Sequence, residues 1–489
     1  MLKSGQEYLE SIRDGRTVYI GRERIEDVTA HPAFASAAKM YAGMYDMKRQ
    51  PANKDVTWFE DGGEKYSLYY LQPKSRDDLV KRTACHTAIA NFSHGLLGRS
   101  PDHVASSITG MSLKPEVFDD GKAGRNYHFS DNVVSYYNRM KREDLFTCYA
   151  ILSPQGARSP ELYESKDRKP PTLRVTAEDD SGVTLNGMKM LATGAVYANE
   201  AIIGNILPLA PSQIKESITC TVPMATQGLS LWSRKPFALD ARNRFDNPLS
   251  YAYDETDSML VFENVKVPWE RVFVHDNVEQ ARSIYIRTPA HIFSNHQSNV
   301  RFWAKLRLLV GLASKITRSN GARDIPAVRE TLGKLAAMEA CYGGMIAGQH
   351  QGMETMDNGY VHVNRRYMYA AANYALENHA AICDQIRTLC GGGVFQMPAF
   401  SDVTQDDGLN RVFQEYWSTL DQTATERMKL FRVAWDLLGS EFAGRHDQYE
   451  KFYIGPSFVV RNYNFVNAPW DTLESLVDGV MDEYELPTG

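Results

Sequence analysis

The sequence predicts an α+β protein in three parts: a helical N-terminal region over 1–145, a central antiparallel β region over 146–272, and a C-terminal four-helix bundle with a tail over 273–489. Three changes of texture along the chain carry this prediction. "SRDDLVKRTACHTAIANFSHGLLG" places apolar residues at the three and four residue spacing of an amphipathic helix. From about residue 146 the chain turns to short β-branched and aromatic runs, such as "TLRVTAEDDSGVTLNGMKMLATGA" and "SMLVFENVKVPWERVFV", broken by turn formers. After residue 275 long periodic stretches return around 296–318, 326–350, 361–390 and 408–443, the pattern of a bundle.

Each region has its own punctuation. In the first, Gly98 is placed to end one helix, Ser100 to cap the next and Pro101 to fill its first position, with Asp102 and His103 in the first turn. Arg99 then stands just outside a helix N-terminus, where a cation makes a seat for a phenolate, a carboxylate or a developing oxyanion. Ser130 is the expected cap of a further run, "DNVVSYYNRM". In the second region "DDSGV" and "LNG" read as hairpin turns. In the third, helical spacing puts His296, Trp303, Leu306 and Val310 on one inward face together with Arg307, and Arg301 and Lys305 roughly opposite. "CGGGVFQMP" follows a helix, and its three glycines and Pro398 should stop it.

The bulk numbers exclude several functions. A chain of 489 residues with 43% hydrophobic content can bury a large core, and a net charge of -6 gives no basic footprint for nucleic acid. The opening "MLKSGQEYLESIRDGRTVYI" lacks the apolar core of a leader, and no later stretch is long and apolar enough for a membrane span, which points to the cytoplasm. Six cysteines without close-pair spacing read as reduced thiols rather than a metal or disulfide frame, and no metal is expected. Neither a G-x-G-x-x-G after a strand nor a phosphate-cradling G-x-x-x-x-G-K-[ST] occurs, so a nicotinamide site is not visible.

Helical, then β, then a four-helix bundle is the layout of acyl-CoA dehydrogenase-like flavoproteins. The wording is narrower than the layout. "SGQEYLESIRDGRTVYIGRERIEDVTAHPAF", "LLGRSPDH", "LSPQGARS", "MKMLATGA", "FENVKVPWERVF", "NHQSNVRFWAKLRLLVGLA", "LCGGGVFQMP" and "DLLGSEFAGRHDQYEKFYIG" resemble the 4-hydroxyphenylacetate 3-monooxygenase family over nearly the full length. The resemblance implies the oxygenase half of a two-component monooxygenase. Such a protein takes reduced FAD, rather than FMN, from a separate NAD(P)H-dependent flavin reductase, and hydroxylates a phenolic substrate through a flavin hydroperoxide held in a dry pocket.

The same resemblance assigns residues. Arg99 matches the arginine that contacts the substrate oxygen, whereas His103 stands where many members have tyrosine and Tyr149 where phenol hydroxylases commonly have histidine. That exchange alters the acid–base groups and points away from 4-hydroxyphenylacetate itself. His296 matches the proposed base of the chlorophenol-hydroxylating branch, since a deprotonated phenol has the electron-rich ring that hydroxylation needs. Gln155, Arg158 and Thr193 match contacts to the isoalloxazine and its N5 side. In "GSEFAGR", Ser440 and Gly444 permit close backbone approach, Phe442 is available to an aromatic and Arg445 to a phosphate. In the wider dehydrogenase fold a glycine-rich loop reaches a neighbouring subunit's flavin, so Gly391, Gly392 and Gly393 imply a homotetramer. Rival readings are an acyl-CoA dehydrogenase, a flavin-free scaffold of the same fold, and 4-hydroxybutyryl-CoA dehydratase. The iron-sulfur positions of the dehydratase correspond here to Arg99, His103, His296 and Trp303, with every thiolate ligand missing.

Overall fold

A computed structural model describes residues 2–119, 128–157, 160–168 and 170–486. The first region holds helices α1 (Gly5–Ser11), α2 (Ala35–Lys48), α3 (Arg76–Phe92), α4 (Pro101–Ser112) and α5 (Phe129–Glu143). It is not purely helical, because β1 (Thr17–Ile20), β2 (Glu23–Ile25), β3 (Trp58–Asp61) and β4 (Glu64–Ser67) form two hairpins. Ser130 lies inside α5 rather than at its cap, and its backbone N–H donates to Asp119 Oδ1 at 3.2 Å.

The central region carries β5 (Thr147–Ala150), a short α6 (Pro160–Glu164), β6 (Arg174–Asp179), β7 (Gly182–Thr193), β8 (Glu200–Ile203), β9 (Thr219–Pro223), β10 (Leu229–Ser233), β11 (Asp257–Pro268) and β12 (Val272–Val274). Two sheets result, ordered β2-β1-β10-β11-β7-β6 and β12-β9-β8-β5. Most pairs are antiparallel as expected, but β1 runs parallel to β10 and β5 parallel to β8. β11 shows why the sheet holds its face: Leu260 and Phe262 are buried, a bulge with Asn264 at φ 54 shifts the register, and Val265 and Val267 are buried again. "DDSG" does make the β6–β7 turn, whereas "LNG" lies within β7, where Gly187 (φ 116) lets the Thr172 carbonyl approach closer than a Cβ would allow.

The last region begins with α7 (Gln280–Arg287), α8 (Ala290–Ser319) and α9 (Pro326–Gln351), then a small hairpin of β13 (Glu354–Thr355) and β14 (Val361–His362), and α10 (Arg365–Cys390). The run expected over 408–443 is broken into α11 (Asp407–Trp417) and α12 (Ala424–Leu438), followed by α13 (Glu441–Phe452), α14 (Ser457–Val466) and α15 (Trp470–Met481). A Thr423–Glu426 capping box restarts the chain at α12, and Ser440 caps α13. All six cysteines are free, five of them buried. Among the described residues no helix is long and apolar enough to cross a membrane.

α8 lies against α3, α4, α9 and α10, so more than one stripe of it is enclosed. Arg301 and Lys305, expected on an outer face, are buried there and paired with Glu450 of α13: Arg301 Nη2 donates at 2.9 Å and Lys305 Nζ at 2.9 Å. Arg307, expected inward, is exposed and reaches Asn91 Oδ1 at 2.7 Å. A helix enclosed on several sides buries cations only where another segment supplies a carboxylate. α4 is buried along its whole length, polar residues included, so every hydroxyl, imidazole and carboxylate on it needs an internal partner.

Candidate functional site

α3 stops at Phe92, and the chain reverses through His94 (φ 55) and Gly95 (φ 71). Gly95, not Gly98, therefore makes the turn: a Cβ on Gly95 would lie 2.5 Å from the Lys305 backbone N. Gly98 serves contact instead, since a Cβ there would lie 2.3 Å from Tyr449 Oη and 2.5 Å from a Tyr453 ring carbon. Ser100 takes the expected N-cap position ahead of Pro101, but its hydroxyl donates to Asp102 Oδ1 at 2.5 Å rather than capping the helix.

This turn brings Arg99, His103 and Tyr149 together. Arg99 Nη1 donates to His103 Nε2 at 2.7 Å and Nη2 to the Tyr453 carbonyl at 2.9 Å, with the guanidinium 4.2 Å from the Tyr453 ring centre. The Tyr149 ring, from β5, stands perpendicular to the His103 ring at 5.8 Å. Burial, and next the Arg99 charge, hold His103 well below the ordinary histidine range, so it is a neutral imidazole at neutral pH. Burial raises the Tyr149 phenol, partly offset by the Ser107 and Ser294 hydroxyls.

His296 is not brought to Arg99. Its Nδ1 lies 2.7 Å from Gln349 Oε1, and its Nε2 lies 2.7 Å from Thr83 Oγ1, which His350 Nε2 also reaches at 2.7 Å. It thus faces α3 and α9 among buried polar side chains, with the His86 ring edge-on at 6.3 Å.

The residues expected at a flavin are more dispersed. Thr193 Oγ1 donates to Asp257 Oδ1 at 2.6 Å, and the same carboxylate accepts from Arg445 at 2.9 and 3.1 Å. Arg445 also donates to Glu255 Oε1 at 2.8 Å, so two carboxylates occupy the cation expected to meet a phosphate. Burial opposes ionisation of Asp257, but Arg445 and Arg234 more than offset it and hold the carboxyl well below its usual range. Ser440 is spent on its helix, accepting from Ala443 N–H at 3.2 Å and donating to the Asp436 carbonyl at 3.0 Å. Phe442 is buried against Phe237 and His446. Gly444 faces open space, Gln155 is exposed on the turn Gln155–Ala157, and Arg158 lies outside the described residues. Gly391, Gly392 and Gly393 start a 3₁₀ turn, Gly391–Phe395, that ends α10 as expected. Glu255, Asp257, Tyr449 and Tyr453 also join these groups, beyond the residues expected. The acid-rich "YDETD" ahead of β11 and the i, i+4, i+8 series Arg445, Tyr449, Tyr453 are the signals that point to them.

One observation bears on a flavin directly. Tyr449 Oη is buried and without a partner among the described residues, one turn beyond Arg445, whose guanidinium lies 3.9 Å from its ring centre. A buried phenol lacking a partner suits a ligand's carbonyl or ring nitrogen. With the Thr193 hydroxyl in the same ion cluster, the residues present fit the polar edge of a flavin ring.

Residues 4–274 match the family model for the 4-hydroxyphenylacetate 3-hydroxylase N terminal part, and residues 281–482 match that for its C terminal part. The chain belongs to the 4-hydroxyphenylacetate 3-hydroxylase family. Within that family it is 30% identical to a (3S)-3-amino-3-(3-chloro-4-hydroxyphenyl)propanoyl-peptidyl-carrier protein monooxygenase of Streptomyces globisporus, over 99% of this chain and 91% of that protein. It is also 30% identical to the oxygenase component of a 4-nitrophenol 4-monooxygenase/4-nitrocatechol 2-monooxygenase of Rhodococcus opacus, over 94% of this chain and 87% of that protein. A crystal structure of a 4-hydroxyphenylacetate 3-monooxygenase oxygenase component, complexed with FAD and 4-hydroxyphenylacetate, superimposes with a TM-score of 0.91 at 25% identity, covering 98% of each chain. A 4-hydroxybutyryl-CoA dehydratase from N. maritimus shares the fold, superimposing with a TM-score of 0.83 at 17% identity over 100% of this chain and 97% of that one.

Proposed function

We propose that this chain is the oxygenase component of a two-component monooxygenase, which takes reduced FAD from a separate reductase and uses O2 to hydroxylate a phenolic substrate. The observation that carries the reading is the neutral His103 set against the Arg99 guanidinium in a buried turn. A phenol hydroxyl that displaces this hydrogen bond donates to His103 Nε2 and, on giving up its proton there, leaves its oxygen, now anionic, beside Arg99. The ring gains electron density, and Tyr149 and Tyr453 supply aromatic walls that exclude water.

Reduced FAD, when bound, supplies the two electrons that activate oxygen: one oxygen atom enters the ring and the other leaves as water. Thr193 and Tyr449 would hold the polar edge of the flavin, Gln155 would contact it from the rim, and Gly444 would let it approach α13. Arg99 and the imidazole act on the substrate. Arg158, Gly392 and Gly393 complete the cofactor side of this reading, and His296, held by Gln349 and Thr83, would be a further base.

The reading extends to a cytoplasmic homotetramer. Exposed apolar side chains such as Phe395, Phe458, Phe465, Leu476 and Val480 support association of several copies, and a mass measurement in solution checks it. The activity is tested by supplying the purified chain with a flavin reductase, NADH, FAD and isotopically labelled O2, with a panel of phenols. One labelled oxygen in an aromatic product is the expected result. Flavin and oxygen consumption without any oxygenated phenol rejects the reading.

A further inference from the structure

Gln297 is the next residue after His296, about 100° further round α8, and it faces α4 instead of α3 and α9. Its Oε1 lies 2.8 Å from His103 Nδ1, and its Nε2 lies 3.3 Å from both Ser100 Oγ and Asp102 Oδ1. All four side chains are buried. Chemistry orders the protons. A guanidinium has no lone pair, so His103 accepts from Arg99 at Nε2, and its single proton as a neutral imidazole sits on Nδ1. That N–H needs an acceptor, which makes the Gln297 oxygen the atom at His103 and turns its amide nitrogen to Asp102.

A second series arrives at Asp102 from the other side. Arg82 Nη2 donates to Ser106 Oγ at 3.1 Å, Ser106 Oγ lies 3.4 Å from His86 Nε2, and His86 Nδ1 lies 2.7 Å from Asp102 Oδ2. Arg82 also only donates, so the Ser106 proton points to His86 Nε2 and the His86 proton to Asp102. Two donor series, each starting at an arginine, end on one carboxylate.

We infer that Gln297 is a positioning residue, which holds His103 as the Nδ1–H tautomer and leaves its Nε2 lone pair toward Arg99 for the substrate proton. Asp102 fixes Gln297 by accepting from its amide. The inference rests on the function proposed above. A neutral amide between imidazole and carboxylate passes on orientation without setting a charge against His103. The groups facing His103 are Arg99 before α4, Gln297 and Arg301 of α8, His86 of α3, Tyr149 of β5 and Tyr453 beyond α13. The formal charges among them, Arg99 and Arg301, are positive, so His103 holds a second proton only while the substrate phenolate stands beside it to offset the charge.

The test uses 4-nitrophenol, whose phenol and phenolate forms absorb differently, bound to the intact chain and titrated with pH. Wild type, Gln297→Met, Gln297→Glu and His103→Asn are compared, with reduced FAD affinity followed in parallel. Gln297→Met should raise the pH at which the bound probe ionises by about one unit, a tenfold loss of phenolate below that point, while leaving flavin affinity unchanged. Gln297→Glu, whose carboxyl accepts from His103 and donates its proton to Asp102, should keep the wild-type ionisation within about threefold. Wild-type ionisation in Gln297→Met, with ionisation lost in His103→Asn, overturns this inference alone. Unchanged ionisation in His103→Asn overturns the base assignment in the proposed function, and the inference with it. Should Gln297→Met not fold, Gln297→Glu decides: a loss as large as that of His103→Asn overturns the inference.

Discussion

Arg445 donates from Nη1 to Glu255 Oε1 at 2.8 Å, while the other oxygen of that carboxylate accepts the Arg99 backbone N–H at 2.8 Å. One buried residue therefore holds the helix that carries the expected flavin residues and the turn that carries the expected substrate residue. Glu255→Gln keeps the shape and removes the charge. The exchange should cost about 1–3 kcal/mol of stability and lower hydroxylation by more than flavin affinity, as read from thermal melts and product yield.

Arg99 is asked to stabilise negative charge on a substrate oxygen. Arg99→Ala should lower product formation by about 10²–10³-fold, with oxygen still consumed and hydrogen peroxide released. Arg99→Lys should restore little, because a point charge cannot serve His103 and the Tyr453 carbonyl together as the guanidinium fork does. Product-to-oxygen ratios measure both.

At Gly98 the limit is space. A methyl group would lie 2.3 Å from Tyr449 Oη, so Gly98→Ala must push Tyr449 and Tyr453 off their positions. Overpacking of this kind costs about 1–3 kcal/mol. Because both tyrosines adjoin the site, flavin affinity should fall as well, and a variant with unchanged melting and flavin affinity would contradict the packing described.

The Arg301–Lys305–Glu450 group makes a separate claim about the bundle. Glu450→Gln leaves two buried cations short of a partner and should cost about 3–5 kcal/mol. Replacing all three together, as Glu450→Leu, Arg301→Met and Lys305→Met, should recover most of that loss in the same denaturation assay.

Buried histidines set an acid limit. Burial pushes His291 down to about 4, and burial with neighbouring cations holds His103 and His446 well below the ordinary 6.5. The unfolded chain takes up these protons near pH 6.5 and the folded chain only at lower pH. Their contribution is therefore complete above 6.5 and is lost as pH falls from 6.5 toward 4, each histidine adding at most about 1.4 kcal/mol per pH unit. Melting temperatures should be flat above pH 7 and drop through this window, with a shallower drop in His291→Gln.

Local rules made much of this legible. The three-part layout, the start of α4 at Ser100 and Pro101, and the nearness of Arg99 to His103 four residues on all follow from spacing and capping. Contacts between distant segments did not. Helical periodicity gave His296 an inward direction, but not that α3 and α9 await it while α4 awaits Gln297. Arg301 and Lys305 look like a solvent face until Glu450, far along the chain, is known to lie beside them. Arg445 looks available to a phosphate for the same reason, since Glu255, just ahead of β11, and Asp257, its first residue, come from a distant part of the chain. A charge is easy to see in a sequence; what neutralises it is set by tertiary packing.

The parallel pairing of β1 with β10 sets Thr17 beside Ser230. During synthesis the first hairpin emerges long before its neighbour exists, and it must wait with an unpaired edge while everything in between is translated. Completion of the larger sheet is thus a late event for a segment made early, and the waiting strand is where a holdase or a premature self-association would first take hold.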